Sequence, residues 1–288
     1  MYHKIFISKE LKKKLNSKIL WLTGSPRGGT TVIGNLIASL KNTEYFYEPG
    51  MFSAILPMLK KINTKLFIFL FESYFYLELI KNGLNKRNIN LNSSDESFYL
   101  NFKNKKDLNL RKSFDVHNNN KQKIPNIIIK TPNFLKEIMY LKKNYNFNVI
   151  FVDRKPLEVI NSLVQKKWWS KNLNRNLIII EYKKRYYPYW LKKNKYKFWQ
   201  SLNEYEKCAM QIIYEKKTLK KNKKIFVVHY TDLVNDPKKF IINIAKKYNM
   251  QLSKKTLSLL KKVKKNKKKD LSFIEKRIRV KILKQLYN

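Results

Sequence analysis

The sequence has few residues of the kinds that build covalent or metal-centred sites. It contains one cysteine, Cys208, and three histidines, His3, His117 and His229, in 288 residues. A single cysteine excludes an internal disulfide, and a cysteine metal site needs further ligands. The histidines are scattered, without the spacing of a metal site. We therefore expect no bound metal, and the cysteine content is typical of a reducing compartment.

Long hydrophobic runs are also missing. Residues 1–10 contain too few consecutive apolar side chains for a signal peptide. The most apolar run, residues 66–80, is 15 residues long and contains Glu72 and Glu78. It is too short and too charged to cross a bilayer. The sequence thus predicts a cytoplasmic protein, with a buried helix at residues 66–80.

Acidic residues are scarce relative to basic ones. The chain has 63 Lys and Arg residues against 20 Asp and Glu, a formal net charge of +43 at pH 7. Such an imbalance favours polyanionic partners or peripheral contact with an anionic membrane face. However, the basic residues are spread along the chain, and joint abundance of Lys, Asn and Ile is typical of AT-rich coding. We therefore do not expect nucleic acid as a partner.

The sequence does contain a strand, a glycine turn and a helix in succession. Residues 19–23 predict a buried strand, residues 24–31 form the turn, and residues 32–40 repeat apolar side chains with a helical period. This order presents backbone N–H groups and a helix N-terminus to a phosphate. The spacing from Gly24 to Gly29 fits the first half of a Walker loop, but Thr30 stands where that loop has its lysine. We expect a phosphate-bearing ligand other than a nucleoside triphosphate with magnesium.

Apolar strand runs alternate with helical periods along the rest of the chain. Further strands are predicted at residues 44–47, 126–130, 148–152 and 225–230. Helices are predicted at residues 51–61, 66–81, 133–143, 157–165, 198–219 and 237–247, and in the C-terminal tail after a lysine-rich turn at 264–269. Residues 83–123 are the least regular part of the chain. The alternation predicts an α/β fold, a parallel sheet flanked by helices, with ligands at the carboxyl ends of the strands.

Each predicted strand ends at a side chain that can bind phosphate or transfer a proton. These are the loop at 24–31, Glu48, Lys130, Arg154 with Ser162 further on, and Tyr230. Because parallel strands end at the same edge of a sheet, we expect these residues to converge on one site.

Two of these segments resemble the nucleotide-binding motifs of the sulfotransferases that use 3′-phosphoadenosine 5′-phosphosulfate (PAPS). The loop Gly24–Thr31 reads Gly-Ser-Pro-Arg-Gly-Gly-Thr-Thr and looks like their 5′-phosphosulfate loop. The strand at 149–153, followed by Arg154 and by Ser162 eight residues on, looks like their 3′-phosphate site.

Three further segments resemble parts of the same family. The Lys130-Thr-Pro segment is similar to one in bacterial and tyrosylprotein-type members. Tyr45–Pro49 is similar to the Glu-Pro segment of carbohydrate 6-O-sulfotransferases, and residues 228–237 are similar to a segment near the family's C-terminus. The resemblance covers about residues 19–248, apart from 60–123, and implies a P-loop NTPase-like sheet with a helical insertion.

Two positions depart from the family pattern. Lys155 replaces the Asp that usually follows the arginine, and an Asp precedes that arginine instead. His229 precedes Tyr230 where Arg is common. We interpret both as drift, and a catalytically inactive relative is the alternative.

The resemblance implies a role for each of these residues. Glu48 is expected to be the general base that takes the proton of the acceptor hydroxyl. Lys130 and Arg27 are expected to stabilise the charge that moves during transfer. The residues expected to bind PAPS are Ser25, Pro26, Arg27, Gly28, Gly29, Thr30, Thr31, Arg154, Ser162 and Tyr230.

The sequence therefore predicts a PAPS-dependent sulfotransferase. It is expected to move the sulfuryl group to a hydroxyl of a carbohydrate or glycolipid, giving a sulfate ester and PAP. We expect one domain over residues 1–288, with a core at about 19–248, an insertion at about 60–123 and a basic helical tail at 249–288. The alternatives are an inactive polyanion-binding relative and, against the evidence of Thr30, a P-loop kinase.

Overall fold

The structure is a computed structural model that describes residues 7–84, 93–94, 98–104, 124–170, 179–222, 225–263 and 270–287. The lysine-rich turn predicted at 264–269 lies outside these residues, as does most of the irregular stretch at 83–123. Everything below concerns the described part of the chain.

Five parallel strands form the central sheet. The strands of the described residues are β1 (Ile19–Gly24), β2 (Thr43–Tyr47), β3 (Asn126–Lys130), β4 (Asn148–Asp153), β5 (Ile179–Tyr182), β6 (Arg185–Pro188) and β7 (Phe226–His229). The sheet has the order β2-β3-β1-β4-β7 and is parallel throughout, while β5 and β6 form a separate antiparallel hairpin. The predicted α/β fold with a parallel sheet is confirmed, whereas the β5–β6 hairpin was not predicted.

Helices cover both faces of the sheet. They are α1 (Lys9–Ser17), α2 (Thr30–Ala38), α3 (Gly50–Ile55), α4 (Thr64–Glu72), α5 (Leu135–Tyr145), α6 (Pro156–Gln165), α7 (Tyr196–Gln200), α8 (Glu204–Lys220), α9 (Tyr230–Asn235), α10 (Pro237–Lys247), α11 (Lys254–Leu260), α12 (Ser272–Glu275) and α13 (Val280–Tyr287). A 3₁₀ turn, Leu56–Met58, follows α3, and a π-helix, Ser73–Asn82, continues α4. None of the helices within the described ranges is long and apolar enough to cross a membrane.

The side chains of β1 alternate between two apolar layers. Ile19 and Trp21 pack into the layer that α1, α4 and α5 cover, and Leu20 and Leu22 pack into the layer that α2 and α10 cover. Every residue of β1 is buried. A strand buried on both faces needs a continuous apolar run, which explains why the sequence marks β1 so clearly.

The prediction of one long helix at 198–219 is wrong, because the structure has two helices there. The segment is divided into α7 and α8, because Asn203 caps the start of α8. The Asn203 side chain accepts a hydrogen bond from the backbone N–H of Glu206 at 3.0 Å, and the Glu206 carboxylate accepts one from the backbone N–H of Asn203 at 3.1 Å. This reciprocal capping box ends one helix and begins the next.

The helices predicted at 51–61 and 66–81 also differ from those observed. The first ends at Ile55 and tightens into the 3₁₀ turn that contains Pro57. The second buries one face, with Phe67, Phe71 and Phe75 in the core, while Leu66 and Leu70 remain exposed. The buried helix predicted here is therefore an amphipathic helix that buries one face.

Two acidic side chains are buried between α5 and α8. Glu137 is 5% exposed and Glu215 is fully buried. Burial and the neighbouring Glu137 carboxylate raise the pKa of Glu215 from 4.5 to about 8, although the backbone N–H of Leu135 acts in the opposite direction. Burial raises the pKa of Glu137 to about 7.

We predict that the protein loses stability as the pH rises from about 5 to about 8. The folded state holds a proton on Glu215 up to a pH of about 8, whereas an ordinary glutamate releases it near 4.5. The free energy of unfolding must therefore fall through this window. Thermal unfolding should show Glu215→Gln more stable, relative to wild type, at pH 8.5 than at pH 5.

The control is Glu10→Gln, which changes an exposed carboxylate on α1. This variant should follow the wild-type stability curve at every pH. A difference between Glu215→Gln and wild type that does not change with pH would contradict the prediction.

Candidate active site

The turn between β1 and α2 has an unusual backbone. The N–H of Gly28 donates to the carbonyl oxygen of Ser25 at 2.9 Å, which closes a turn with Pro26 and Arg27 at its centre. Arg27 has a positive φ of 64°. Proline followed by a residue of positive φ is the pattern of a type II turn, whose third position normally takes glycine. An arginine there bears backbone strain, which is characteristic of functional sites.

Gly29 begins α2 and leaves room for a neighbouring ring. Its φ is 94°, and no side chain caps the helix at this position. A Cβ added to Gly29 would lie 2.3 Å from Cδ2 of Tyr230. Only a residue without a side chain lets the Tyr230 ring lie this close to the N-terminus of α2.

Lys130 lies at the end of β3 and is only 2% exposed. Its Nζ donates to Oγ1 of Thr31 at 2.8 Å and also to Oε1 of Glu48, and it lies 4.1 Å from the ring centroid of Tyr47. The Glu48 side chain is 42% exposed. The lysine therefore joins the start of α2 to an exposed carboxylate that follows β2.

Glu48 is held by its backbone as well as by its side chain. Its N–H donates to the carbonyl oxygen of Lys130 at 2.9 Å, which extends the pairing of β2 with β3 by one residue. Its φ is 41°, so the chain turns sharply before Pro49 and α3. This turn places the carboxylate at the mouth of the cleft instead of in the sheet.

Arg154 and Ser162 both contact Arg27. Nη1 of Arg154 donates to the carbonyl oxygen of Arg27 at 3.2 Å, and Nε of Arg27 donates to Oγ of Ser162 at 3.2 Å. Arg154 also pairs with Glu158 at 2.8 Å, and its guanidinium lies 4.5 Å from the ring centroid of Tyr230. The strand end and helix α6 thus bring a second cationic group beside the glycine turn.

The two positions that depart from the expected pattern include a contact between neighbouring strands. Asp153 and His229 are register partners on β4 and β7, and Nδ1 of His229 lies 3.3 Å from Oδ2 of Asp153. The carboxylate that precedes Arg154 therefore has its own partner on the neighbouring strand. Lys155 lies immediately before α6 and is exposed.

These side chains line one cleft of about 1290 Å³. The predicted site residues that line it are Pro26, Arg27, Gly29, Thr30, Thr31, Glu48, Lys130, Arg154, Ser162 and Tyr230. Ser25 and Gly28 do not line it; they form the hydrogen bond that shapes the turn beneath. The cleft is predominantly cationic, and an arrangement of this kind attracts and orients a ligand with several negative charges.

Sequence reasoning missed several polar residues of the cleft. Those that lie in it without having been predicted include Asn35, Ser53, Asn101 and Asn133, and the aromatic side chain of Trp168 lines it too. Asn35 follows Thr31 by one helical turn, a spacing that identifies it once α2 is known to start at Thr30. Asn101 has no local signal, because it belongs to the irregular insertion.

The chain belongs to the sulfotransferase family. Residues 20–254 match the sequence profile of that family, which is well over half of the chain. The protein is accordingly a sulfotransferase family enzyme, as the motifs predicted. A comparison with curated proteins finds no match.

Three solved structures illustrate the similarity. The sulfotransferase domain of the Synechococcus PCC 7002 olefin synthase is 14% identical, with a TM-score of 0.46 and 93% of each chain covered. The sulfotransferase domain from the curacin biosynthetic pathway is 13% identical, with a TM-score of 0.44, 84% of this chain covered and 77% of that one. A mouse sulfotransferase complexed with PAP is 10% identical, with a TM-score of 0.41, 88% of this chain covered and 69% of that one.

We predict that Gly29→Ala destabilises the protein while Gly50→Ala does not. The new methyl group at position 29 would meet the ring of Tyr230 at a backbone angle that favours glycine, whereas a Cβ at Gly50 meets nothing within 4 Å. A left-handed non-glycine residue alone costs about 1–2 kcal/mol. Thermal unfolding should show a melting temperature several degrees lower for Gly29→Ala only. Equal melting temperatures for the two variants would mean that Tyr230 does not pack as described.

Proposed function

We propose that the protein transfers the sulfuryl group of PAPS to a hydroxyl acceptor and releases PAP. The observation that carries the proposal is the convergence of Arg27, Lys130 and Arg154 on one cleft, in which Glu48 is the one carboxylate among the described lining residues. Three cations suit a ligand with a phosphosulfate and a separate phosphate. The mouse sulfotransferase complexed with PAP is consistent with such a ligand.

The glycine turn is proposed to hold the 5′-phosphosulfate. Backbone N–H groups at the start of α2 and the hydroxyls of Thr30 and Thr31 are available as donors on the cleft side of this helix. A helix N-terminus favours negative charge by its dipole and by its unpaired N–H groups. Gly29 lines the cleft and has no side chain, so a ligand can approach its backbone closely.

Arg154 and Ser162 are proposed to hold the 3′-phosphate. Both contact Arg27, so the two phosphate sites adjoin each other. Tyr230 supports the Arg154 guanidinium through the ring contact at 4.5 Å. A hydrogen bond to a charged group contributes about 1.5–3 kcal/mol, so loss of Arg154 should weaken binding by about one to two powers of ten.

Glu48 is proposed as the general base. PAPS, when bound, supplies an activated sulfuryl group whose bond to the bridging phosphate oxygen breaks as the bond to the acceptor oxygen forms. Glu48 takes the proton that this acceptor oxygen loses, and Lys130 and Arg27 stabilise the charge left on the phosphate. The hydrogen bond between Lys130 and Glu48 keeps the base and the cationic donor side by side.

A carbohydrate or glycolipid is the proposed acceptor. This choice rests on the Tyr45–Pro49 resemblance and is supported by the amide and hydroxyl side chains that line the same cleft as Glu48, together with Trp168. Polar groups of this kind orient hydroxylated ligands, and an aromatic ring can cover a sugar face. Contact with an anionic membrane, a cytoplasmic location and one domain over residues 1–288 remain predictions.

We predict that Glu48→Gln abolishes turnover and leaves PAP binding intact. The amide keeps the size of the side chain but cannot accept the acceptor's proton, and general-base catalysis typically contributes about 10²–10⁴-fold in rate. Turnover is measured as PAP release from PAPS with a panel of hydroxylated acceptors, and PAP affinity by calorimetry.

The matched control is Glu181→Gln, which changes an exposed carboxylate on β5. It should retain wild-type turnover. Full activity of Glu48→Gln would show that another group takes the proton. A wild-type protein that binds PAP yet turns over no acceptor would favour the inactive relative.

A further inference from the structure

A buried series of hydrogen bonds connects helix α5 to the wall of the cleft. The hydroxyl oxygen of Tyr189 lies 2.9 Å from the carbonyl oxygen of Asn133 and 3.1 Å from Oε2 of Glu137. Tyr189 is 6% exposed and Glu137 is 5% exposed. Water is thus largely excluded from this contact, and the hydrogen bonds within it matter more than they would at the surface.

Asn133 links this series of hydrogen bonds to the glycine turn. Its N–H donates to the carbonyl oxygen of Gly24, the last residue of β1, at 2.9 Å. Its φ is 67°, and it lies in the short turn between Lys130 and helix α5. A strained turn of this kind needs support from outside itself. The Tyr189 hydroxyl supplies that support on the carbonyl side of Asn133.

When Glu137 is ionised, the Tyr189 hydroxyl cannot donate a hydrogen bond to both of its neighbours. The Tyr189 hydroxyl carries a single proton but faces two acceptors, the Asn133 carbonyl and the Glu137 carboxylate. When Glu137 is protonated, it donates to Tyr189, and Tyr189 donates to Asn133. When Glu137 is charged, the stronger charge-assisted bond draws the tyrosine proton to the carboxylate.

The surroundings of Glu137 favour its neutral form up to a pH of about 7. Burial raises the pKa of Glu137 to about 7, and its own backbone N–H, Tyr189, Lys136 and Lys61 act in the opposite direction. From α8, Glu215 and Tyr214 face the same space, and the pKa of each is itself raised by burial first and by Glu137 second.

We propose that Tyr189 and protonated Glu137 are positioning residues that hold the Asn133 turn, and through it the start of the phosphate-binding turn, in the geometry that binds PAP. Ionisation of Glu137 releases the Asn133 carbonyl and weakens PAP binding at alkaline pH. The proposal rests on the cleft being the PAPS site.

The test measures PAP affinity by calorimetry at pH 6 and pH 8.5 in four proteins. Between pH 6 and pH 8.5, wild type should lose about fivefold more affinity than Glu137→Gln, the effect of one net hydrogen bond. Glu137→Gln keeps a donor towards Tyr189 at every pH, so its loss should be smaller. Tyr189→Phe should bind weakly at both values. Because the phosphates of PAP also titrate, only differences from wild type are interpreted.

Tyr145→Phe is the matched control. Tyr145 lies on α5, the helix that carries Glu137. Its hydroxyl donates to Oε1 of Glu72 at 3.1 Å, away from the cleft. This variant loses an equivalent tyrosine–glutamate contact, so it should lose stability but keep the wild-type dependence of PAP affinity on pH.

A second measurement does not depend on PAP. Hydrogen exchange of the free protein should show faster exchange of residues 131–135 in Tyr189→Phe than in Tyr145→Phe. The proposal is overturned if the two variants exchange alike there, or if Glu137→Gln keeps the wild-type pH dependence. If exchange differs as expected but none of the four proteins binds PAP, the proposed function is wrong. The support that Tyr189 gives to the Asn133 turn is then still confirmed.

Discussion

The ammonium of Lys130 is buried at the end of β3, and the rest of the cleft is arranged around it. A buried charge is tolerated only when it is paired and hydrogen-bonded, because its desolvation costs several kcal/mol. Here the partners are Glu48 and Thr31, and the Tyr47 ring lies against the same group. These contacts form only if the chain turns at Glu48, directly after β2, and if α2 starts beside the end of β3. Removal of either partner would leave the charge less well satisfied.

A second set of constraints lies in the backbone of the glycine turn. Positive φ angles at Arg27 and Gly29 present one side of the turn to the cleft, while Gly24 accepts a hydrogen bond from Asn133 on the opposite side. Asn133 therefore contacts the glycine turn at Gly24, and the Tyr230 ring contacts it at Gly29. Its geometry depends on residues far away in sequence, because the contact of Asn133 with Tyr189 connects the glycine turn to the buried carboxyl group of Glu137 on α5.

Much of the fold was predictable because the inner strands of its sheet, β1, β3 and β4, are largely buried on both faces. Such strands appear as continuous apolar runs, and parallel topology then brings their polar ends together. The same reasoning identifies Glu48, Lys130 and Arg154 from the sequence alone. Asn203, which interrupts the helix predicted at 198–219, carries a capping signal that the apolar period concealed.

Contacts between distant segments were not predictable from local patterns. Tyr189 and Asn133 are 56 residues apart, and nothing in the sequence around either residue indicates a partner. The pairing of Asp153 with His229 is similar, because it depends on the register of β4 with β7. Hydrophobic periodicity identifies elements and their faces, but it does not determine which polar side chains meet once the elements pack.

The central claim is that the cleft recognises a nucleotide with a separate 3′-phosphate. The most direct test is the thermal shift of the wild-type protein and of Arg154→Ala with PAP and with ADP, a nucleotide of similar charge, at moderate and high salt. At a ligand concentration about 100-fold above Kd, binding adds about 2.7 kcal/mol, a shift of several degrees. A site for the 3′-phosphate predicts a wild-type shift that is larger with PAP than with ADP, that survives high salt and that shrinks in Arg154→Ala. Equal shifts with the two nucleotides that vanish in salt would contradict it, because the chain would then bind any anion through its net charge.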